Sequence, residues 1–515
     1  MVNKYKIPYK DTKLFSKLVM DYLDENSKLK PFITNFPSLK NFKKLIDFKK
    51  KRSIKDRTVL VDALKNQNSS LSLSEKSQQN INLLKSNNTF TITTGHQLCL
   101  FTGPLYFIYK IISTINLTEK LKSEYPENNY VPVFWMASED HDFLEVNHVN
   151  IFGKKIVWNS HQEGAVGKMN MEGFQSVLEE LKQSIGDSEN GNELLKLFKN
   201  AYLNHSNLAD ATRYLLNELF GKYGLVIIDG DDKSLKNKFL PFIKKDILEK
   251  SYYPSLKDCS KQLSDNYKSE VFVREINFFK LSKGKRERIE GGISLEEIEN
   301  NPDNFSPNVL MRPIYQEYLL PNLAYVGGGA EVSYWMQLKK VFSDNNIDFP
   351  ILILRNSVMI VEKKDKDKWS DLGFKIDNIF EETHILHSVF VKSKSSLSFE
   401  KEKNDLELLF HSIAQKTTDK SLFSSIKSEK VKQMKSLDSL EKKLFKSEKQ
   451  NHENSINKIN KIKKKLFPNS VLQERFDNFI PFYLSYGEKF IETLKEELNP
   501  LDTNFLILSL QKNKK

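Results

Sequence analysis

The sequence is poor in cysteine: its 515 residues include only Cys99 and Cys259. Two thiols exclude a disulfide framework and suit a reducing compartment. Cys99 stands beside a glycine turn and reads as small apolar filler rather than a reactive thiol. No apolar run approaches the roughly 18 residues of a membrane span. Residues 1–6, Met-Val-Asn-Lys-Tyr-Lys, lack the apolar stretch of a secretion signal. The expectation is a cytoplasmic protein with no membrane partner. No Gly-Lys-Ser/Thr completes a Walker A motif. Neither HExxH nor CxxC spacing occurs, so no metal site is expected.

Acidic charge is scarce at two places only. The net charge is +12, and residues 1–60 and 395–470 alone carry +10 and +7, which leaves −5 for the rest. The basic excess therefore lies on lysine-rich faces, away from the candidate motifs. Without interleaved aromatics or an RNA-binding signature it does not predict a nucleic-acid partner.

Residues 1–86 read as a basic helical segment. Thr89–Thr93 is β-prone and ends at Gly95, and Pro104 then opens an apolar helix through Ile108, Ile111, Ile112 and Ile115. Val131–Met136 is a second strand, with Pro132 marking its start. A strand, a helix and a strand within about fifty residues make a βαβ unit. Leu225–Ile228 and Pro350–Leu354 repeat the strand pattern, Val271–Val273 is a short extended piece, and Glu331–Phe342 is helical. The fold expected over 87–394 is an α/β, Rossmann-like doubly wound parallel sheet, with insertions near 150–220 and 235–310. Glycine vanishes from 374 to 486. There, Val431, Met434, Leu437, Leu440 and Leu444, then Ile456, Ile459, Ile462 and Leu466, predict a helical hairpin or coiled-coil arm over 395–470. An apolar stripe on such an arm points to a homodimer. Residues 471–515 are expected to return as a helix packed on the core.

Four constellations carry chemistry. In the first, Gly95, His96 and Gln97 end a strand before a Gly-Pro helix start, an arrangement that gathers free N–H groups and a helix dipole around an anion. Lys110 lies further along the helix and reaches back to the same ligand. The second is Glu139, Asp140, His141, Asp142, Glu145 and His148, at a strand's carboxyl end, where open α/β sheets bind ligands. Carboxylates this dense raise one another's proton affinity, the tuning a general base needs. Asp140 and His141 are the candidate bases. The third, Asp229 to Asp232, offers either carboxylates for a ligand or capped turns. The fourth runs from Asn308 and Arg312 to Gly327, Gly328, Gly329 and Glu331. Three glycines before a helix form a second backbone cradle. Arg312 is a fork suited to a carboxylate, and Tyr325, Tyr334 and Trp335 either stack on a sugar or fill the core.

Six blocks together resemble the bacillithiol biosynthesis cysteine-adding enzyme family (BshC). They are TTGHQLCLFTGPLYFIYK from 93, VPVFWMASEDHDFLEVNH from 131, YGLVIIDGDD from 223, VREINFF from 273, FSPNVLMRPIYQEYLLPNLAYVGGGAEVSYWMQLK from 305 and LQERFDNFIPFYLSYG from 472. The resemblance spans nearly the whole chain. It implies a Rossmann-like core, a coiled-coil arm used for dimerisation, and a ligase that couples cysteine to glucosaminyl-malate. In that chemistry the cysteine carboxyl is activated, by ATP or another nucleotide, before the sugar amine attacks. The Gly95–Gln97 turn would stabilise a phosphate or oxyanion, Asp140 or His141 would take the amine proton, and Arg312, Arg355 and Lys110 would hold the malate carboxylates. Two other readings stand beside it: a nucleotidyltransferase-like ligase for another amine or acid, and a non-catalytic coiled-coil scaffold.

Overall fold

A computed structural model of the chain describes residues 2–52, 56–268, 271–282, 284–394 and 398–511. They form two compact units. One holds residues 4–359 and 474–507, the other 360–473 with short terminal pieces.

The first unit is built on five parallel strands. In chain order its elements include β1 (Thr89–His96), α1 (Tyr106–Glu124), β2 (Asn129–Met136), β3 (Val226–Asp229), α2 (Lys233–Ile247), β4 (Phe278–Ser282), β5 (Lys285–Arg288), β6 (Phe305–Pro307), α3 (Met311–Leu319), β7 (Asn322–Gly327), α4 (Gly329–Met336) and β8 (Ile351–Leu354). The sheet order is β8-β7-β1-β2-β3. Every pairing in it is parallel. The chain steps outward from β1 to β3, then returns to the other side of β1 for β7 and β8. The reversal makes the gap between β1 and β7 the switch point where such sheets bind ligands. β-Branched and aromatic residues of the strands are buried on both faces, as a parallel sheet covered by helices requires. On one face Val131, Val133 and Trp135 pack with Phe239, Tyr315 and Trp335. On the other, Phe90, Ile92, Ile351 and Ile353 pack with Leu117 and Leu121 of α1. At Gly95 a Cβ would stand 2.9 Å from the Trp135 carbonyl oxygen, so only glycine lets β1 lie this close to β2.

Several local expectations change. The helix expected from Pro104 begins at Tyr106, because Phe101, Thr102 and Gly103 take positive φ in a buried connection. Pro132 lies inside β2, which begins at Asn129; β3 pairs with β2 only from Val133, so that ladder loses no donor. Val271–Val273 forms no strand, and Glu331–Phe342 is divided between α4 and the helix Lys339–Asp344. The segment before 86 includes a strand, Val2–Pro8, and the segment after 471 is broken into Gln473–Phe476, Ile480–Tyr486 and Lys489–Glu497, then the strand Asn504–Leu510. The antiparallel strands β4, β5 and β6 lie in the insertion after β3.

In the second unit, helices Glu400–Ala414 and Lys420–Asn451 run beside each other. Ion pairs Lys403–Asp438 and Lys403–Glu441, both 2.7 Å, link them. Neither helix buries a residue. The helix Glu453–Leu466 does bury Ile456, Ile459, Ile462 and Leu466. The expected arm start at 395 and the chain end beyond 511 lie outside the described residues.

Candidate active site

The carboxyl ends of the strands open into a cavity of about 680 Å³. Gly95, His96 and Gln97 from β1, Glu139 and Asp140 from the loop after β2, Asn308 and Arg312, Gly328, Gly329 and Glu331 from the glycine turn, and Arg355 after β8 all line it. Distant motifs thus converge on one rim.

His96 is held on both ring nitrogens, Nδ1 at 3.1 Å from the Gln97 carbonyl oxygen and Nε2 at 3.3 Å from the Tyr106 hydroxyl. Burial, reinforced by the charge of Lys110, pulls its pKa down to about 4. The ring is therefore neutral at physiological pH, a polar donor or acceptor rather than a cation. Cys99 Sγ lies 3.8 Å from Nδ1. Burial, then the Glu145 charge, push its thiol up to about 12. The N–H groups before α1 are largely consumed. Phe101 N donates to the Tyr202 hydroxyl and Leu105 N to the Asp477 carbonyl, both 2.8 Å.

Gln97 ties this turn to the acidic loop. Its Nε2 donates to Asp140 Oδ2 and Glu145 Oε2, each at 2.7 Å. Burial raises the Asp140 carboxyl, but the Gln97 bond and the Arg286 charge outweigh it and leave the group below its ordinary value. Glu139 goes the other way. Burial lifts it above the usual range, although Lys236 Nζ stands 2.6 Å from Oε1. Lys236 also reaches Asp231 at 2.7 Å, and Asp231 meets Lys168 at 2.7 Å. Of the two adjacent carboxyls, Glu139 is the one tuned to accept a proton.

The remaining sequence candidates fall outside the cavity lining. His141 is half-exposed, its Nδ1 3.0 Å from Arg286 Nη1. Asp142 is exposed. Asp229 is buried beneath, where it accepts from the Ser138 hydroxyl and the Asp231 N–H. Asp232 caps α2 through Ser234 N and Leu235 N. Gly327 ends β7. Lys110 is sealed in. Its Nζ donates to the Gly95 carbonyl oxygen and to both Glu331 oxygens, at 2.9 and 2.8 Å. Glu331, in turn, accepts the Gly328 N–H at 2.9 Å, so a carboxylate of the chain already occupies the glycine cradle. Burial opposes its charge, but Lys110 and these donors hold its pKa at about 2. Arg355 is likewise committed, clamped at 2.8 and 3.1 Å by the two carboxylate oxygens of buried Glu474.

Arg312 keeps its charge available. It bonds Gln316 Oε1 at 2.9 Å and stacks 5.6 Å from the Tyr325 ring centre. Among the described residues no carboxylate forms an ion pair with it. Four further arginines line the cavity, Arg274, Arg286, Arg288 and Arg475. Sequence reasoning missed them as site residues because they come from the insertion and from a segment far along the chain. Arg286 lies 3.9 Å over the Phe279 ring and is pinned to Ser306 and the Pro307 carbonyl. The aromatics are divided: Tyr325 and Tyr334 line the cavity, and Trp335 is core, stacked 4.3 Å on Tyr325. No group of three or more His, Cys, Asp or Glu side chains comes together as a metal cage among the described residues.

His96 gives a pH signature. Between pH 6.5 and about 4 the unfolded chain binds a proton at this position and the native chain does not. Stability therefore falls as pH falls through that window, by about 3 kcal/mol at its lower end. His96→Gln removes this component. The stability advantage of wild type over the variant, measured by urea unfolding, is expected to shrink from pH 7 to pH 4.

A parallel α/β sheet with an arginine-rich cavity at its switch point, accompanied by a helical unit, defines a Rossmann-like protein. The chain matches the family described as "Bacillithiol biosynthesis BshC, N-terminal Rossmann-like domain" over residues 2–356 and "Bacillithiol biosynthesis BshC, C-terminal coiled-coil domain" over 358–510. It belongs to the BshC family. Similar proteins called "Putative cysteine ligase BshC" are those of Flavobacterium johnsoniae, 45% identical over 98% of this chain and 99% of the relative, and Flavobacterium psychrophilum, 44% identical over 98% of each. That of Cytophaga hutchinsonii is 38% identical over 97% of each.

Proposed function

We propose that this chain is a cysteine ligase of bacillithiol biosynthesis that joins the cysteine carboxyl to the amine of glucosaminyl-malate, the last step of the pathway. The observation that carries this reading is the pairing of opposite chemistries in one cavity: Arg312, without a carboxylate ion-pair partner among the described residues, and Glu139, a carboxyl lifted by burial. The amide bond forms between the cysteine carbonyl carbon and the sugar nitrogen. One carboxyl oxygen leaves on an activating nucleotide, ATP in the assay below, and the amine proton passes to Glu139. Asp140, held ionised by Gln97 and Arg286, attracts the sugar ammonium before it is deprotonated. The Tyr106 hydroxyl, held by neutral His96 Nε2, turns its hydrogen to the developing oxyanion without adding a titrating charge. Arg312 takes a malate carboxylate, with Arg274, Arg288 and Arg475 around it. Exposed Leu408, Leu409, Val431, Leu440 and Leu444 on the two long helices supply an apolar surface for a homodimer.

Purified protein given glucosaminyl-malate, cysteine and ATP is expected to yield the thiol conjugate by mass spectrometry. Arg312→Ala is expected to raise KM for glucosaminyl-malate about ten- to a hundred-fold, with a smaller change in kcat. A wild-type protein that makes no conjugate from these three substrates sinks the proposal.

A further inference from the structure

Asn308 is backed by a chain of polar groups with only one satisfying arrangement. It starts at Asp246 on α2, wholly buried. Asp246 Oδ2 accepts the Asn277 backbone N–H at 2.5 Å and Oδ1 accepts Asn277 Nδ2 at 3.0 Å. The Arg274 carbonyl oxygen accepts from the same Nδ2 at 3.2 Å. Two acceptors facing one end of an amide identify that end as NH2. Asn277 Oδ1 is left as an acceptor, and it takes Asn308 Nδ2 at 3.0 Å. The Asn308 carbonyl is spent as well. Its Oδ1 accepts from Leu310 N at 2.9 Å and Met311 N at 3.0 Å, which caps α3.

One hydrogen of Asn308 Nδ2 remains. The residue is partly exposed and lines the cavity. Arg312 follows four positions later, and its N–H bonds the Asn308 carbonyl at 2.9 Å, so the two side chains share a helix face. We infer that Asn308 and Arg312 form a carboxylate subsite in which Asn308 offers a donor only, with Asp246 and Asn277 as positioning residues that forbid the reverse orientation. The ligand class is a carboxylate oxygen. Its assignment to the malate part rests on the function proposed above.

The test uses two variants and three readouts: melting temperature, L-malate affinity by calorimetry, and conjugate formation. Asn308→Asp keeps a cap-competent oxygen but sets its second oxygen against Asn277 Oδ1. It is expected to melt lower and to bind L-malate about ten- to a hundred-fold more weakly. Asp246→Asn combined with Asn308→Asp lets Asn277 turn around. The new amide at 246 accepts the backbone N–H and donates to Asn277 Oδ1, while Asn277 Nδ2 donates to the new carboxylate at 308. Melting temperature is expected to recover in part, because the turned Asn277 Oδ1 still meets the Arg274 carbonyl oxygen, and malate affinity to stay low. The inference is overturned if either variant binds malate as tightly as wild type, or if the double variant melts no higher than Asn308→Asp. Should wild type bind malate in this way yet form no conjugate, the ligase reading fails and the subsite stands.

Discussion

Glu139→Gln lowers kcat for conjugate formation by about a hundred- to ten-thousand-fold while KM for glucosaminyl-malate stays nearly constant. Glutamine fills the same volume, and Lys236 retains Asp231 at 2.7 Å, so the fold tolerates the change. What is lost is the proton acceptor. Burial raises the Glu139 carboxyl, so its protonation sets an acid limb above the ordinary carboxylate range. Activity falls as pH falls through that limb, because the base must be deprotonated. The residual activity of Glu139→Gln is expected to lack it. Asp140→Asn behaves differently. Asp140 is held below its ordinary value and already ionised, so the variant mainly raises KM and keeps the acid limb. An unchanged kcat in Glu139→Gln would remove Glu139 from the mechanism.

Glu474→Ala destabilises the protein by about 3–5 kcal/mol. Its carboxylate clamps Arg355 and also accepts the Val358 N–H at 3.0 Å. Both side chains are at most 5% exposed. Truncation leaves a guanidinium charge buried without its counter-ion, and the cost of that orphan charge exceeds the worth of the pair itself. Replacing both residues at once, Arg355→Met with Glu474→Leu, removes the charge and is expected to recover most of the loss. Urea unfolding of the three proteins checks the ordering. A Glu474→Ala protein within about 1 kcal/mol of wild type would mean that water reaches Arg355 and the pair is not sealed.

The rim of the sheet was legible in the sequence because strand signals end in glycine, acidic residues or arginine. Period and turn chemistry carried β1, β2, β3 and β8, and the family resemblance agrees with the fold and the two family matches. The state of each charge was not legible. Lys110 and Arg355 read as free cations, yet their partners lie 221 and 119 residues away in sequence. The glycine turn read as an open anion cradle, but Glu331, three residues after Gly328, fills it from within. Arg286 and Arg288 lay in a segment classed as an insertion, where local pattern gives no hint that a hairpin folds back over the strand ends. Single positions report propensity, and pairing across the fold decides which charges remain to meet a substrate.

The buried thiol beside His96 has a consequence for a protein proposed to handle free cysteine. With its pKa pushed up to about 12, Cys99 is ionised in only about one molecule in a hundred thousand at pH 7. Gly103 packs closely against it, since a Cβ there would stand 2.6 Å from Cys99 Cβ. Thiol–disulfide exchange proceeds through the thiolate. Cys99, buried and held protonated behind His96, is therefore a poor partner for a mixed disulfide with cystine and a poor target for alkylating agents.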